Sequence, residues 1–128
     1  MTGKPNLECR FYRTAAGSEP VRDWLKGLEK NVRIEIGSDV ERVQWNWPVS
    51  KPLVDGLGHG LYEVRTSFAG NIYRVLFCCS AGEMVLLHSF QKKTQKTPQA
   101  DIDLARARLS ELKAGWTGSD RGQKGNQS

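Results

Sequence analysis

The sequence predicts an α+β domain built on an antiparallel sheet of about four strands, with two helices near its N-terminus and a third after the sheet. Three observations carry that expectation. Two stretches before residue 45 space their apolar residues at helical intervals; the segment from residue 61 to 91 alternates apolar and polar residues in short runs broken by glycine turns; and an amphipathic run follows a Thr-Pro pair.

The elements follow in order. Leu7, Cys9 and Phe11 alternate with Glu8, Arg10 and Tyr12, the period of a strand with one buried face. Ser18 is suited to cap a helix whose Pro20 sits in the first turn, where a missing N–H does no harm, and Val21, Trp24, Leu25 and Leu28 form its apolar stripe. A second helix is expected over about 31–44, because Val32, Ile36, Val40 and Val43 recur every three or four residues. Pro48 and Pro52 end it in a loop that carries Trp45 and Trp47. Asp55 to Gly60 reads as a flexible turn into a strand over 61–67, a turn at 69–71 leads to a strand over 72–79, and a turn at 80–83 leads to a strand over 84–91. Thr97 and Pro98 suit the start of a third helix, with Ile102, Ala105, Leu109 and Leu112 facing inward. Residues 1–113 are therefore expected to form one domain, and the polar, glycine-rich 114–128 a disordered tail.

A chain of 128 residues, 38% hydrophobic and 26% charged, suits one soluble globular domain, and no apolar run approaches the ~20 residues of a membrane helix. Met1 to Asn6 lacks the apolar core of a signal peptide, and three cysteines without framework spacing suit a reducing compartment, so a cytoplasmic protein is expected. Cys78 and Cys79, neighbours in a strand, should point to opposite faces. The net charge of +5 and a pI near 9.3 favour an anionic partner, nucleic acid above all.

The candidate chemistry gathers around the last strand. His88 lies near its end, and Lys92, Lys93 and Lys96 follow in a loop presented by the sheet, a pattern suited to phosphate or simply to solvation. A turn from Phe68 to Asn71 would set Ser67 opposite Ile72 and Arg65 opposite Arg74. Like charges facing each other are destabilising unless Glu63 neutralises them or an anion binds between them. Arg65 can be a structural ion-pair partner of Glu63; Arg74, which interrupts the apolar run from Ile72 to Cys79, requires either a partner or a ligand. The expectation is that both arginines share a solvent-accessible face within reach of one phosphate. His59, in the glycine loop, and His88 could move protons, or could be plain strand-end residues. No Cys/His pair has metal-ligand spacing, and neither a phosphate-cradling glycine loop nor a nucleophile elbow is present.

Leu61-Tyr62-Glu63-Val64-Arg65, Tyr73-Arg74-Val75-Leu76-Phe77, Phe90-Gln91-Lys92-Lys93 and Lys96-Thr97-Pro98, followed by Ile102, Ala105 and Arg108, resemble the HigB-like, phage-derived branch of the RelE toxin superfamily, over about Leu7 to Lys113. The resemblance implies a compact RelE-like fold, a twisted antiparallel sheet with two helices and a C-terminal helix. It implies a metal-independent endoribonuclease, without cofactor, that cuts mRNA in the ribosome and is silenced by a HigA-like helix-turn-helix antitoxin. Operator DNA would be bound only through that antitoxin. The matched basic positions Arg65, Arg74 and Lys92, with His88 as proton carrier, become the candidate catalytic residues; Lys93, Lys96, Lys51 and His59 become candidate RNA contacts; Trp45 and Trp47 are either exposed anchors for the antitoxin or packed under the proline loop. The alternative is a catalytically degenerate nucleic-acid-binding or corepressor module that binds the antitoxin and DNA, since a fold alone does not decide activity.

Overall fold

The computed structural model describes residues 3–92 and 96–123. Strands β1 (Glu8–Phe11), β2 (Val54–Gly58), β3 (Leu61–Phe68), β4 (Asn71–Ser80) and β5 (Glu83–Lys92) form one sheet, in spatial order β1-β5-β4-β3-β2. Helices α1 (Pro20–Lys26) and α2 (Lys30–Asn46) fall between β1 and β2 in the chain, and α3 (Gln99–Gln123) follows β5. The α+β class is as expected; the sheet has five strands.

The additional strand is β2, from the stretch expected to be a turn. Val54 and Asp55 pair with Val64 and Glu63 of β3. Its two glycines give it little intrinsic strand preference, so it is the open edge of β3 that draws it into the ladder. The turn proper shrinks to His59 and Gly60, both at positive φ. β2 to β5 form an antiparallel meander, whereas β1 joins β5 in parallel, which corrects the expectation of a wholly antiparallel sheet. Alternation within β1 reports a buried face and carries no information about direction.

The helix ends depart from expectation through competing hydrogen bonds. The Ser18 hydroxyl pairs with that of Thr14 at 2.8 Å, so α1 begins without a side-chain cap. α3 begins at Gln99, the Pro98 carbonyl accepts from the Asp101 and Ile102 N–H groups, and the Thr97 hydroxyl turns into the sheet, toward Glu63 and Arg74. α3 extends to Gln123, past Ala114, into the segment expected to be irregular; residues 124–128 of that segment lie outside the described residues.

Two apolar layers sandwich the sheet. Val21 of α1 and Val32, Ile36, Val40 and Val43 of α2 pack on Val64, Val75, Phe77, Met84 and Leu86. On the other side, Ala105 and Leu109 of α3 pack on Leu61, Leu76, Cys78, Val85 and Leu87. Cys78 and Cys79 do face opposite layers. Each fully buried aliphatic side chain contributes about 1.5–3 kcal/mol. A bulge adjusts this arrangement: Leu76 pairs with His88 but Phe77 pairs with Leu86, so the ladder skips Leu87 and both Leu87 and His88 lie on the α3 side. Trp47 is partly buried against Tyr62 (5.0 Å between ring centroids) and Phe77 (5.7 Å), the packed one of its two expected readings, whereas Trp45 is 45% exposed. No helix among the described residues is long and apolar enough to cross a membrane.

Candidate functional site

The β3–β4 hairpin has the expected register: Ser67 faces Ile72 and Arg65 faces Arg74. The turn is made by Ala69 and Gly70 at positive φ, a geometry that glycine takes without strain. The ladder continues into β5, pairing Arg74 with Phe90, Leu76 with His88 and Ile72 with Lys92. Glu63, Arg65, Arg74 and His88 therefore share the α3 side of the sheet, near the point where the chain leaves β5.

Sharing a side does not mean sharing solvent. Neither Arg74 nor Glu63 exposes any side-chain surface, and Arg74 Nε lies 3.3 Å from Glu63 Oε2. Arg74 Nη1 donates to Thr97 Oγ1 at 3.3 Å, and the Thr97 hydroxyl donates in turn to Glu63 Oε1. The expectation that Arg65 and Arg74 present an accessible pair to one phosphate is overturned. The residue that resolves the like-charge pairing is Glu63, which also accepts from Arg65 Nε at 2.9 Å. Burial lowers the pKa of Arg74 from its ordinary value; Glu63 opposes that shift and Arg65 adds to it. Glu63 thus sits between two guanidiniums, one buried and one at the surface.

Arg65 is the arginine that meets water, with 28% of its side chain exposed and Asp55 3.6 Å from its Nη2. Lys51 approaches the same Asp55 at 3.7 Å. Arg65 also lines a groove of about 390 Å³ with Arg42, Asp39, Pro52, Leu53, Ser67 and Ile72.

His88 is paired with a residue that sequence reasoning missed. Its Nε2 lies 2.7 Å from Oδ1 of Asp101, in the first turn of α3, and its ring stacks on Phe90 with centroids 5.5 Å apart. The two side chains are 15% and 20% exposed. An acid in the first helical turn just beyond a strand-end histidine was the available signal.

Lys96 is exposed at the foot of α3. Lys93 and the side chain of Lys92 lie outside the described residues. His59 is exposed in the β2–β3 turn, beside Arg106, Leu109, Ser110 and Lys113, and does not join Arg65. Arg106 holds that turn by donating to the carbonyls of Leu57 (2.7 Å) and Gly58 (3.1 Å). Among the described residues no three His, Cys, Asp or Glu side chains gather where they could hold a metal ion.

Residues 23–110 match the family described as phage-derived, Gp49-like proteins (DUF891). The match spans Glu63, Arg65, Arg74, His88, Thr97 and Asp101. No curated protein matches the chain. With most of its length matched, the chain belongs to the phage-derived Gp49-like protein family.

Proposed function

We propose that the chain is the toxin of a type II toxin–antitoxin pair, a HigB-like endoribonuclease of the RelE superfamily that cuts mRNA on the ribosome. The observation that carries the proposal is the register that gathers Arg65, the His88–Asp101 pair and the exit toward Lys96 on one side of the sheet. Membership of the Gp49-like family is compatible with such a toxin.

In this reading a ribose 2′-hydroxyl attacks the adjacent phosphorus, yielding a 2′,3′-cyclic phosphate and a 5′-hydroxyl. Arg65 faces the phosphate oxygens as charge builds, an electrostatic contribution of a few kcal/mol for a well-aimed donor. Arg74 does not touch RNA: it holds Glu63, and Glu63 holds Arg65. Lys92, Lys93 and Lys96 grip the backbone, and His88 carries a proton. The partner is a HigA-like helix-turn-helix antitoxin, through which operator DNA is bound.

The burial of Arg74 favours a second reading, a catalytically degenerate module that binds the antitoxin and nucleic acid. Inducing the chain in a bacterial host with and without its genomic neighbour separates the two. Growth arrest with mRNA cut to 2′,3′-cyclic ends, relieved by the neighbour, supports the nuclease. A complex with the neighbour but no arrest and no cut ends supports the degenerate module.

A further inference from the structure

We infer that Asp101 is a positioning residue for His88, holding the imidazole hydrogen on Nε2 so that Nδ1 accepts the proton of the substrate hydroxyl. The inference rests on the nuclease reading and supplies a residue that reading lacks.

The 2.7 Å contact between His88 Nε2 and Asp101 Oδ1 fixes the hydrogen by elimination. An ionised carboxylate only accepts, so Nε2 must donate; in the neutral ring the acceptor is then Nδ1. Both ends of the contact are held. The β5 bulge turns His88 toward α3, and Phe90 stacks on its ring at 28° between planes. On the other side, α3 is tied to the sheet by Arg108, which donates to the Leu87 carbonyl at 2.8 Å, and by Thr97 in the Glu63–Arg74 cluster.

The groups around the ring leave the carboxylate in control. Across the ladder stands Leu76, along β5 Phe90, and on α3 Asp101 at the ring, with Arg108 engaged one residue along the strand. As a latch alone the pair would add little, since partly exposed ion pairs are worth about 0–1 kcal/mol and α3 has stronger ties. As an orienter it decides which nitrogen meets the substrate.

In the step this permits, the proton of the 2′-hydroxyl passes to Nδ1, the O2′–P bond forms and the P–O5′ bond breaks. O5′ takes a proton from the ammonium of the exposed Lys96. Imidazolium and amine then return to their starting states by exchange with water. Asp101 stays ionised throughout and stabilises the imidazolium.

The test compares the full-length protein with Asp101→Asn, Asp101→Glu and His88→Gln. The readouts are single-turnover cleavage of mRNA on programmed ribosomes across pH, affinity for RNA with the attacking 2′-hydroxyl removed, circular dichroism, and histidine tautomers by nitrogen-15 NMR. A neutral asparagine can present either its oxygen or its NH2 to Nε2, so it no longer fixes the hydrogen on that nitrogen. Asp101→Asn should therefore cleave about 100-fold or more slowly. RNA affinity should stay within about twofold, and Asp101→Glu should recover part of the rate. Wild type should show the Nε2–H tautomer of His88. A wild type that cleaves while Asp101→Asn matches its rate and profile overturns the inference alone. So does an Nδ1–H tautomer in wild type, a measurement that stands even where a variant fails to fold. A wild type that cleaves no RNA overturns the nuclease reading, and the inference with it.

Discussion

Glu63 and Arg74 form an ion pair with no exposed surface on either side chain, the carboxylate oxygen Oε2 lying 3.3 Å from Nε. Removing one partner strands the other charge in the core. Arg74→Met and Glu63→Leu should each cost about 3–5 kcal/mol, while the double variant should cost much less than their sum. Urea unfolding measures this directly; an Arg74→Met protein within about 1 kcal/mol of wild type would show that the pair is not structural.

Buried thiols make stability fall in alkali. Burial pushes Cys9 and Cys78 up to about 11 and Cys79 up to about 12, with Lys113 partly offsetting the shift at Cys78 and Cys78 adding to that at Cys79. In the unfolded chain these thiols lose protons near the ordinary cysteine value of about 8.5. A raised native value means the folded chain binds more protons between the two, so the contribution is whole below about pH 8.5 and is lost as pH climbs to about 11. Cys78→Ala should flatten that fall by on the order of 2 kcal/mol. Equal slopes for wild type and variant between pH 8.5 and 11 would exclude Cys78 as a source.

The two tryptophans should separate by assay. Trp47 packs on Tyr62 and Phe77, so Trp47→Ala should cost about 3 kcal/mol of stability. Trp45 and Ile34 are exposed on α2, about three turns apart and hence on one side of the helix. Trp45→Ala should leave stability within about 0.5 kcal/mol and weaken binding of the proposed helix-turn-helix antitoxin at least about tenfold. Calorimetry of the complex decides; unchanged affinity removes Trp45 from the interface.

How much was legible depended on the range of the interaction. Turn length set the β3–β4 register, because a four-residue connection from Phe68 to Asn71 leaves one parity for Arg65 and Arg74. Their burial was not legible. It depends on Thr97, just before α3, meeting Glu63, a contact between residues 34 apart. β2 was hidden by its glycines, and the parallel direction of β1 by the indifference of alternation to direction. Asp101 in the first turn of α3 was visible in the sequence, but its meeting with His88 needed both the bulge at Leu87 and the docking of α3, which local pattern does not show.

The exposed and the buried arginine should differ most sharply in salt. Removing one cation that neutralises a phosphate of single-stranded RNA lowers the log–log salt slope by about 0.7, whatever the sequence bound. Arg65 reaches water and Lys96 is exposed, so Arg65→Gln and Lys96→Gln should each flatten the slope by about that amount. Arg74 has no surface to offer a phosphate, so Arg74→Met, assayed in the cold where it stays folded, should keep the wild-type slope. Lys92→Ala should flatten the slope and Lys92→Arg restore it, if Lys92 acts through charge alone. Fluorescence titration of a labelled oligonucleotide from about 50 to about 300 mM salt reads every variant. A reduced slope for folded Arg74→Met would mean that this arginine reaches RNA after α3 shifts; an unchanged slope for Arg65→Gln would remove Arg65 from the binding face.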